Sequence, residues 1–225
     1  MNGFVVAIDG PAGAGKSTTA RLVAERLGFL YLDTGAMYRA LTWKALATGM
    51  ALEDGEALTR LAESFRLDVR QTSSGGSFQV DGVDVTARIR SPEISRAVPE
   101  VARVPGVRHA LVELQRRIGT QGPIVAEGRD IGTVVFPAAQ VKVFLEATLE
   151  ERARRRREEL LAKGLEQPLE ELVEEIRARD AIDSEREASP LVKAADAFVL
   201  DTTGLSVEAQ VEEVLRAVRV VLARS

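Results

Sequence analysis

The stretch Gly10-Pro11-Ala12-Gly13-Ala14-Gly15-Lys16-Ser17-Thr18 has the spacing G-x-x-x-x-G-K-[ST]. Glycines there let consecutive backbone N–H groups turn inward around phosphate oxygens, and the helix that follows adds positive potential at its N-terminus. Lys16 is spaced to reach β- and γ-phosphates, and the Ser17 hydroxyl to ligate Mg²⁺. Three other segments concentrate charge where a ligand could use it. Asp33-Thr34-Gly35-Ala36-Met37-Tyr38-Arg39 follows one short apolar run, and Glu127-Gly128-Arg129-Asp130-Ile131-Gly132 follows another. Arg179, Asp183 and Arg186 stand at i, i+4 and i+7, which puts them on one face of a helix. Each has a plainer reading: Arg39 as a solvated helix charge, Tyr38 as packing, and 127–132 as a surface loop with self-paired charges.

The elements that must hold these groups can be read from periodicity. Phe4–Ile8, Phe29–Leu32, Pro123–Ala126, Val141–Leu145 and Ala197–Leu200 are short and apolar, as buried strands are. Helical patterns separate them: Thr19–Leu27, Met37–Thr48 with Thr34 or Asp33 as its cap, Leu52–Ser64, 106–118, 150–159, Leu169–Arg186 and Val207–Leu222. Strands alternating with helices predict an α/β fold, a five-stranded parallel sheet covered on both faces. Polar residues just beyond strand ends in such sheets face the ligand crevice, which favours a substrate role for 127–132. Residues 65–85 differ in texture. Phe65–Arg70 and Phe78–Val80 alternate, 71–77 is turn-rich, and Asp81-Gly82 is a hairpin signal before Val83–Val85, so a small antiparallel β patch is expected there. Ser91-Pro92 opens a helical stretch that Pro99 and Pro105 are expected to interrupt.

Composition narrows the function. The chain has 225 residues and is 45% hydrophobic, enough for one domain with a sizeable core. A net charge of −4 and 4% aromatic content argue against a nucleic-acid surface. Cysteine is absent, so disulfides, thiolate metal sites and cysteine nucleophiles are excluded. The single histidine, His109, sits in a helical pattern and reads as surface or packing. No apolar run reaches the roughly 18 residues of a membrane span, and the first strand begins almost at once, so a cytoplasmic protein without a leader is expected.

A phosphate loop serves switch GTPases and phosphotransferases alike. Guanine recognition uses Asn-Lys-x-Asp, whereas the only asparagine here is Asn2 and Lys-x-Asp does not occur. Asp201-Thr202-Thr203-Gly204 fits Asp-x-x-Gly but lies near the C-terminus and reads as a strand-end turn. The charged helices around Arg152–Arg157 and 169–186, with a glycine-containing bend between them, suit a lid. A small-molecule kinase is therefore expected. UMP or a metabolite hydroxyl is an alternative acceptor, and a GTP-binding switch is the more distant reading.

The loop, Asp33-Thr-Gly35-Ala-Met-Tyr38-Arg39, Glu127-Gly-Arg129-Asp130-Ile-Gly132-Thr133-Val-Val-Phe136-Pro137 and Arg179-Asp-x-x-Asp183-x-x-Arg186 together resemble bacterial cytidylate kinase, in order and over nearly the whole chain. The resemblance implies transfer of the γ-phosphoryl of ATP to CMP or dCMP by a nucleoside monophosphate kinase fold. It implies a core of about 1–33, 106–148 and 189–225, a monophosphate-binding insert of about 34–105, and a lid of about 149–188. It also implies roles. Residues 10–18 would hold MgATP, with Lys16, Arg129, Arg152 and Arg156 stabilising the transferring phosphoryl group. Thr34 and Tyr38, with Arg39, Arg129 and Arg186 on its phosphate, would contact CMP. Asp130 and Arg108 would read cytosine, and Asp183 with Arg179 would contact the ribose. Glu127 belongs to the same set but stands where a shorter aspartate is expected, and Pro99 where relatives often carry a small hydroxyl. Nucleic-acid and membrane partners are not implied, and a monomer is expected.

Overall fold

The computed structural model describes residues 3–72, 75–162 and 164–223. Its strands are β1 (Val5–Asp9), β2 (Leu30–Asp33), β3 (Leu67–Thr72), β4 (Gly75–Val80), β5 (Val83–Asp84), β6 (Ile124–Gly128), β7 (Val141–Glu146) and β8 (Phe198–Asp201). Its α-helices are α1 (Lys16–Leu27), α2 (Thr34–Ala47), α3 (Gly55–Glu63), α4 (Pro92–Ala102), α5 (Pro105–Gly119), α6 (Leu149–Leu161), α7 (Leu169–Glu185) and α8 (Val207–Leu222). Five strands form one parallel sheet in the order β2-β6-β1-β7-β8, and β3-β4-β5 form a separate antiparallel sheet.

The central strands β1 and β6 are buried on both faces, so their apolar runs supply two cores. In β1, Val6 and Ile8 meet Val23, Val143, Leu145 and Val214 on the side of α1 and α8. Val5 and Ala7 meet Leu32, Met37, Val112 and Ile124 on the side of α2 and α5. A third core joins α2 to α3, α4 and α5 through Leu41, Leu58, Val101 and Leu111. The antiparallel sheet lays Phe78 and Val80 on Ala36 and Ala40 of α2. Register then sets the site. Asp9 pairs with Gly128 and Asp33 with Glu127, so these strand ends emerge side by side along one edge. No helix among the described residues is long and apolar enough to cross a membrane.

Several expectations shift in detail. Asp33 is the cap of α2, accepting the Ala36 N–H at 2.7 Å, and the helix starts at Thr34 rather than Met37. Asp54 caps α3, which starts at Gly55 rather than Leu52. Pro99 does not interrupt its helix: α4 runs through it, with Ile94, Val98 and Val101 buried. One missing N–H is offset by burial of that apolar face. Pro105 does separate the helices, standing at the first turn of α5, where its absent N–H is harmless. Helix α7 ends at Glu185, and Arg186 leaves it with extended backbone, so Arg186 is not on the helix face with Arg179 and Asp183. Asp81 and Gly82 both have positive φ, 50° and 80°, as a two-residue hairpin of this kind requires. The turn read at 71–77 is shorter than that span, since β3 and β4 pair up to Thr72 and Gly75, and its centre lies outside the described residues. The turn at Ile131–Val135 was not foreseen. It is a π turn, with the Val135 N–H donating to Asp130 O at 3.1 Å and that of Phe136 to Ile131 O at 2.7 Å.

Leu58 is fully buried between α3 and its neighbours and does not line the cleft at the strand ends. Leu58→Ala should lower stability by about 3 kcal/mol through the lost transfer energy and the cavity. Urea unfolding would show this as a lower midpoint at unchanged slope.

Candidate functional site

The start of the phosphate loop is constrained by a close approach to β7. Gly10 has φ 149°, and a Cβ there would sit 2.1 Å from the Leu145 carbonyl oxygen of β7. Gly15 has φ 90° and precedes α1 without any side-chain cap, so the first amides of the helix face the loop. The Lys16 ammonium is buried and donates to Pro11 O at 2.7 Å. Burial and the nearby Arg129 lower its pKa to about 7. Ser17 Oγ donates to Glu127 Oε1 at 2.6 Å, and the Tyr31 hydroxyl donates to the same oxygen at 3.3 Å. Burial and the charge of Asp33 raise the Glu127 pKa. The extra methylene of Glu127 is thus taken up by reaching Ser17.

A cleft opens from Ala12, Gly13, Lys16 and Ser17. Its walls carry Thr34, Tyr38 and Arg39 of α2, Arg108 of α5, and Glu127, Arg129 and Asp130 from the end of β6. Arg179 and Asp183 of α7, with Arg186 just beyond its end, close it. Fourteen of the site residues expected from sequence, counting Ala12, Gly13, Lys16 and Ser17, therefore line one cleft. Thr34 Oγ1 donates to Glu127 O at 2.7 Å, and Arg39 pairs with Asp33 at 2.8 Å. Arg129 Nε donates to Asp183 Oδ2 at 2.8 Å. Burial alone would raise Asp183, but Arg129 and Arg186 outweigh it and hold its carboxyl below the ordinary range.

The cationic wall carries unused hydrogen-bonding capacity. The Nε atoms of Arg39, Arg179 and Arg186, and Nη2 of Arg186, are buried without partners. Burial and neighbouring Arg129 lower the Arg179 pKa to about 10. Buried donors are nearly always satisfied, so guanidinium groups left this way around a cavity indicate an anionic ligand. At the other end, Arg108 Nη2 and Asp130 Oδ2 lie 2.5 Å apart, both side chains 6% exposed or less. Arg108 also lies over the Tyr38 ring, 5.3 Å from its centroid, and donates to Ala102 O at 3.3 Å. Its Nε and the Tyr38 hydroxyl have no partner. Val98, Pro99 and Ala102 supply an apolar wall beside this pair. Tyr38, packed in a core on one side, and Arg39 both face this cleft.

The α6 arginines divide. Arg152 is buried and donates to Ala147 O at 3.1 Å, Ala12 O at 3.2 Å and Asp180 Oδ2 at 2.6 Å. Arg156 does not line the cleft; it is 39% exposed and pairs with Glu159 of its own helix. The neighbour on the loop is Arg155, whose Nη1 donates to Thr202 Oγ1 at 3.0 Å and whose guanidinium reaches the backbone position of Gly15. Arg155, Asp180 and Asp9 were not singled out in the sequence. Asp180 carried a signal, because it stands three residues before Asp183. Arg155 carried only its place in an arginine run. Within the loop, Pro11, Ala14 and Thr18 contribute backbone, and the Thr18 side chain is exposed.

A family described as cytidylate kinase matches residues 6–220. The chain belongs to the cytidylate kinase family. It is 54% identical over 221 residues to the cytidylate kinase of Pelotomaculum thermopropionicum, covering 97% of each chain. It is 51% identical over 213 residues to that of Carboxydothermus hydrogenoformans, covering 95% of this chain and 96% of the relative. A solved structure of an uncharacterized protein from Eubacterium ventriosum superposes with a TM-score of 0.52 at 9% identity, covering 95% and 96%, and attests the fold alone. The phosphate loop, the unsatisfied arginines and the Arg108–Asp130 pair all line this one cleft.

Proposed function

We propose that this cytidylate kinase family member transfers the γ-phosphoryl group of ATP to CMP or dCMP, giving ADP and CDP or dCDP. The observation that carries the reading is the one cleft shared by Lys16, the partnerless arginine donors and the buried Arg108–Asp130 pair. An α-phosphate oxygen of CMP attacks the γ-phosphorus, and the bond to the β,γ-bridging oxygen breaks in line with it. Little covalent chemistry is asked of the protein, whose contribution is positioning and charge stabilisation. Residues 10–18 hold the donor phosphates, with Lys16 on the β- and γ-phosphates. Arg39, Arg129 and Arg186 hold the acceptor phosphate as planar forks. Arg152 acts from the lid, 149–188, Arg156 joins it only on lid closure, and Asp183 with Arg179 meets the ribose. The insert 34–105 contributes Thr34, Tyr38 and Arg39 to the acceptor site. Asp130 accepts from the cytosine amino group while Arg108 donates to the ring. Uracil presents a carbonyl to the carboxylate instead and leaves it unpaired.

Ser17 Oγ and Glu127, adjacent at the head of α1, form a fitting oxygen donor set for Mg²⁺ carried on ATP. Bound there, the ion neutralises charge on the β- and γ-phosphates. Both substrates are intracellular nucleotides, which supports action in the cytoplasm.

A coupled assay with CMP, dCMP, UMP and AMP tests the reading: CMP and dCMP should be the good acceptors, and comparable rates on AMP would overturn it. The Lys16 pKa gives a second test. Free Lys16 titrates near pH 7, and a bound triphosphate favours the charged ammonium. Above that pH, ATP binding should take up a proton and weaken by up to tenfold for each pH unit, whereas well below it neither effect should appear. Calorimetry at about pH 8 in buffers of different ionisation enthalpy reads the uptake directly, and zero uptake would contradict the assignment.

A further inference from the structure

Asp9 ends β1, one residue before the phosphate loop, and none of the roles above uses it. It is 5% exposed. Its Oδ1 accepts the N–H of Ile131 at 2.8 Å, and its Oδ2 accepts that of Gly132 at 2.7 Å. These two amides open the π turn at Ile131–Val135. The Asp130 carbonyl at its start accepts from Val134 at 2.8 Å and from Val135 at 3.1 Å. A helical turn leaves its first N–H groups without partners, and a residue just before the turn usually caps them. Asp130 occupies that place but makes no cap, because its carboxylate is turned to Arg108. Asp9 supplies the cap from a different strand. Burial raises the Asp9 pKa to about 6 against the pull of the two amides. Asparagine could satisfy only one of the amides.

We infer that Asp9 is a positioning residue for base recognition: by capping the turn in place of Asp130, it leaves the Asp130 carboxylate free for the base and fixes the backbone from which that carboxylate projects. Because Asp9 adjoins Gly10, the same contact sets the acceptor-base contact in register with the donor phosphate loop. The inference rests on the reading of Asp130 as the cytosine contact.

The test is a double-mutant cycle of Asp9→Asn and Asp130→Asn, with kcat and KM measured for CMP and UMP and thermal midpoints recorded. Asp9→Asn should lower the CMP-over-UMP ratio of kcat/KM about tenfold, chiefly through the KM for CMP, and should have no further effect on that ratio once Asp130 is asparagine. A loss of thermal stability with the ratio unchanged would overturn the inference, as would additive effects on the ratio. Should Asp9→Asn not fold, Asp9→Glu, which moves the turn by one methylene, must lower the ratio; wild-type selectivity in that variant would overturn it. If Asp130→Asn alone leaves the ratio unchanged, the base reading fails and takes this inference with it. If only Asp9→Asn is silent, the base reading stands and this inference falls.

Discussion

Arg129→Ala is expected to lower kcat/KM for CMP about a thousandfold, roughly 4 kcal/mol of transition-state stabilisation. Arg129 lies between Lys16 of the loop and Asp183 of α7. It projects from the end of β6, is near enough to Lys16 to lower that ammonium's pKa, and pairs with Asp183 of α7. Its charge would face the γ-phosphoryl group as it moves. The loss should fall on every monophosphate alike, because the contact is to phosphate and not to a base. Arg129→Lys should recover little, since one ammonium cannot hold Asp183 and a phosphate oxygen in the same fork geometry. Removing the guanidinium also strands the Asp183 carboxylate, so thermal midpoints must accompany the kinetics. A variant that keeps more than a tenth of wild-type kcat/KM would remove Arg129 from the chemistry.

Much of this site was legible before any coordinates. The loop was readable because its glycine spacing is dictated by backbone geometry, and the Gly10 contact with β7 shows how little else fits. Residues 33–39 and 127–132 were readable because strand ends in a parallel sheet collect on one edge, as the Asp33–Glu127 register shows. What stayed hidden depends on helix phase and on contacts between distant segments. Arg152, Arg155 and Arg156 are equivalent in an arginine-dense run. Only the packing of α6 against the loop turns Arg152 and Arg155 inward and leaves Arg156 toward solvent. Pro99 misled because its missing hydrogen bond is local, whereas the buried face that keeps α4 intact is tertiary. Asp9 reads in sequence as the end of a strand, and its partners lie more than a hundred residues away.

Asp130→Asn should reduce the preference for CMP over UMP about a hundredfold, with little change in the KM for ATP. An amide presents both a donor and an acceptor, so it can face the uracil carbonyl as readily as the cytosine amino group. The substitution also removes the counter-charge of Arg108, whose side chain is 4% exposed. A buried pair broken in this way typically costs about 3 kcal/mol or more, so a lower thermal midpoint is expected alongside the altered selectivity. Unchanged selectivity, with or without lost stability, would make the pair a structural strut and move base recognition elsewhere.

The most direct test of the central claim is the affinity of cytidine and adenosine joined 5′ to 5′ through five phosphates. One cleft that holds the donor on the loop and the acceptor on the arginines should bind this compound at least about a hundredfold more tightly than it binds CMP or ATP alone, and Arg129→Ala should abolish most of that gain. Affinity no greater than that of ATP, indifferent to Arg129, would mean that the two nucleotides do not face each other across this cleft.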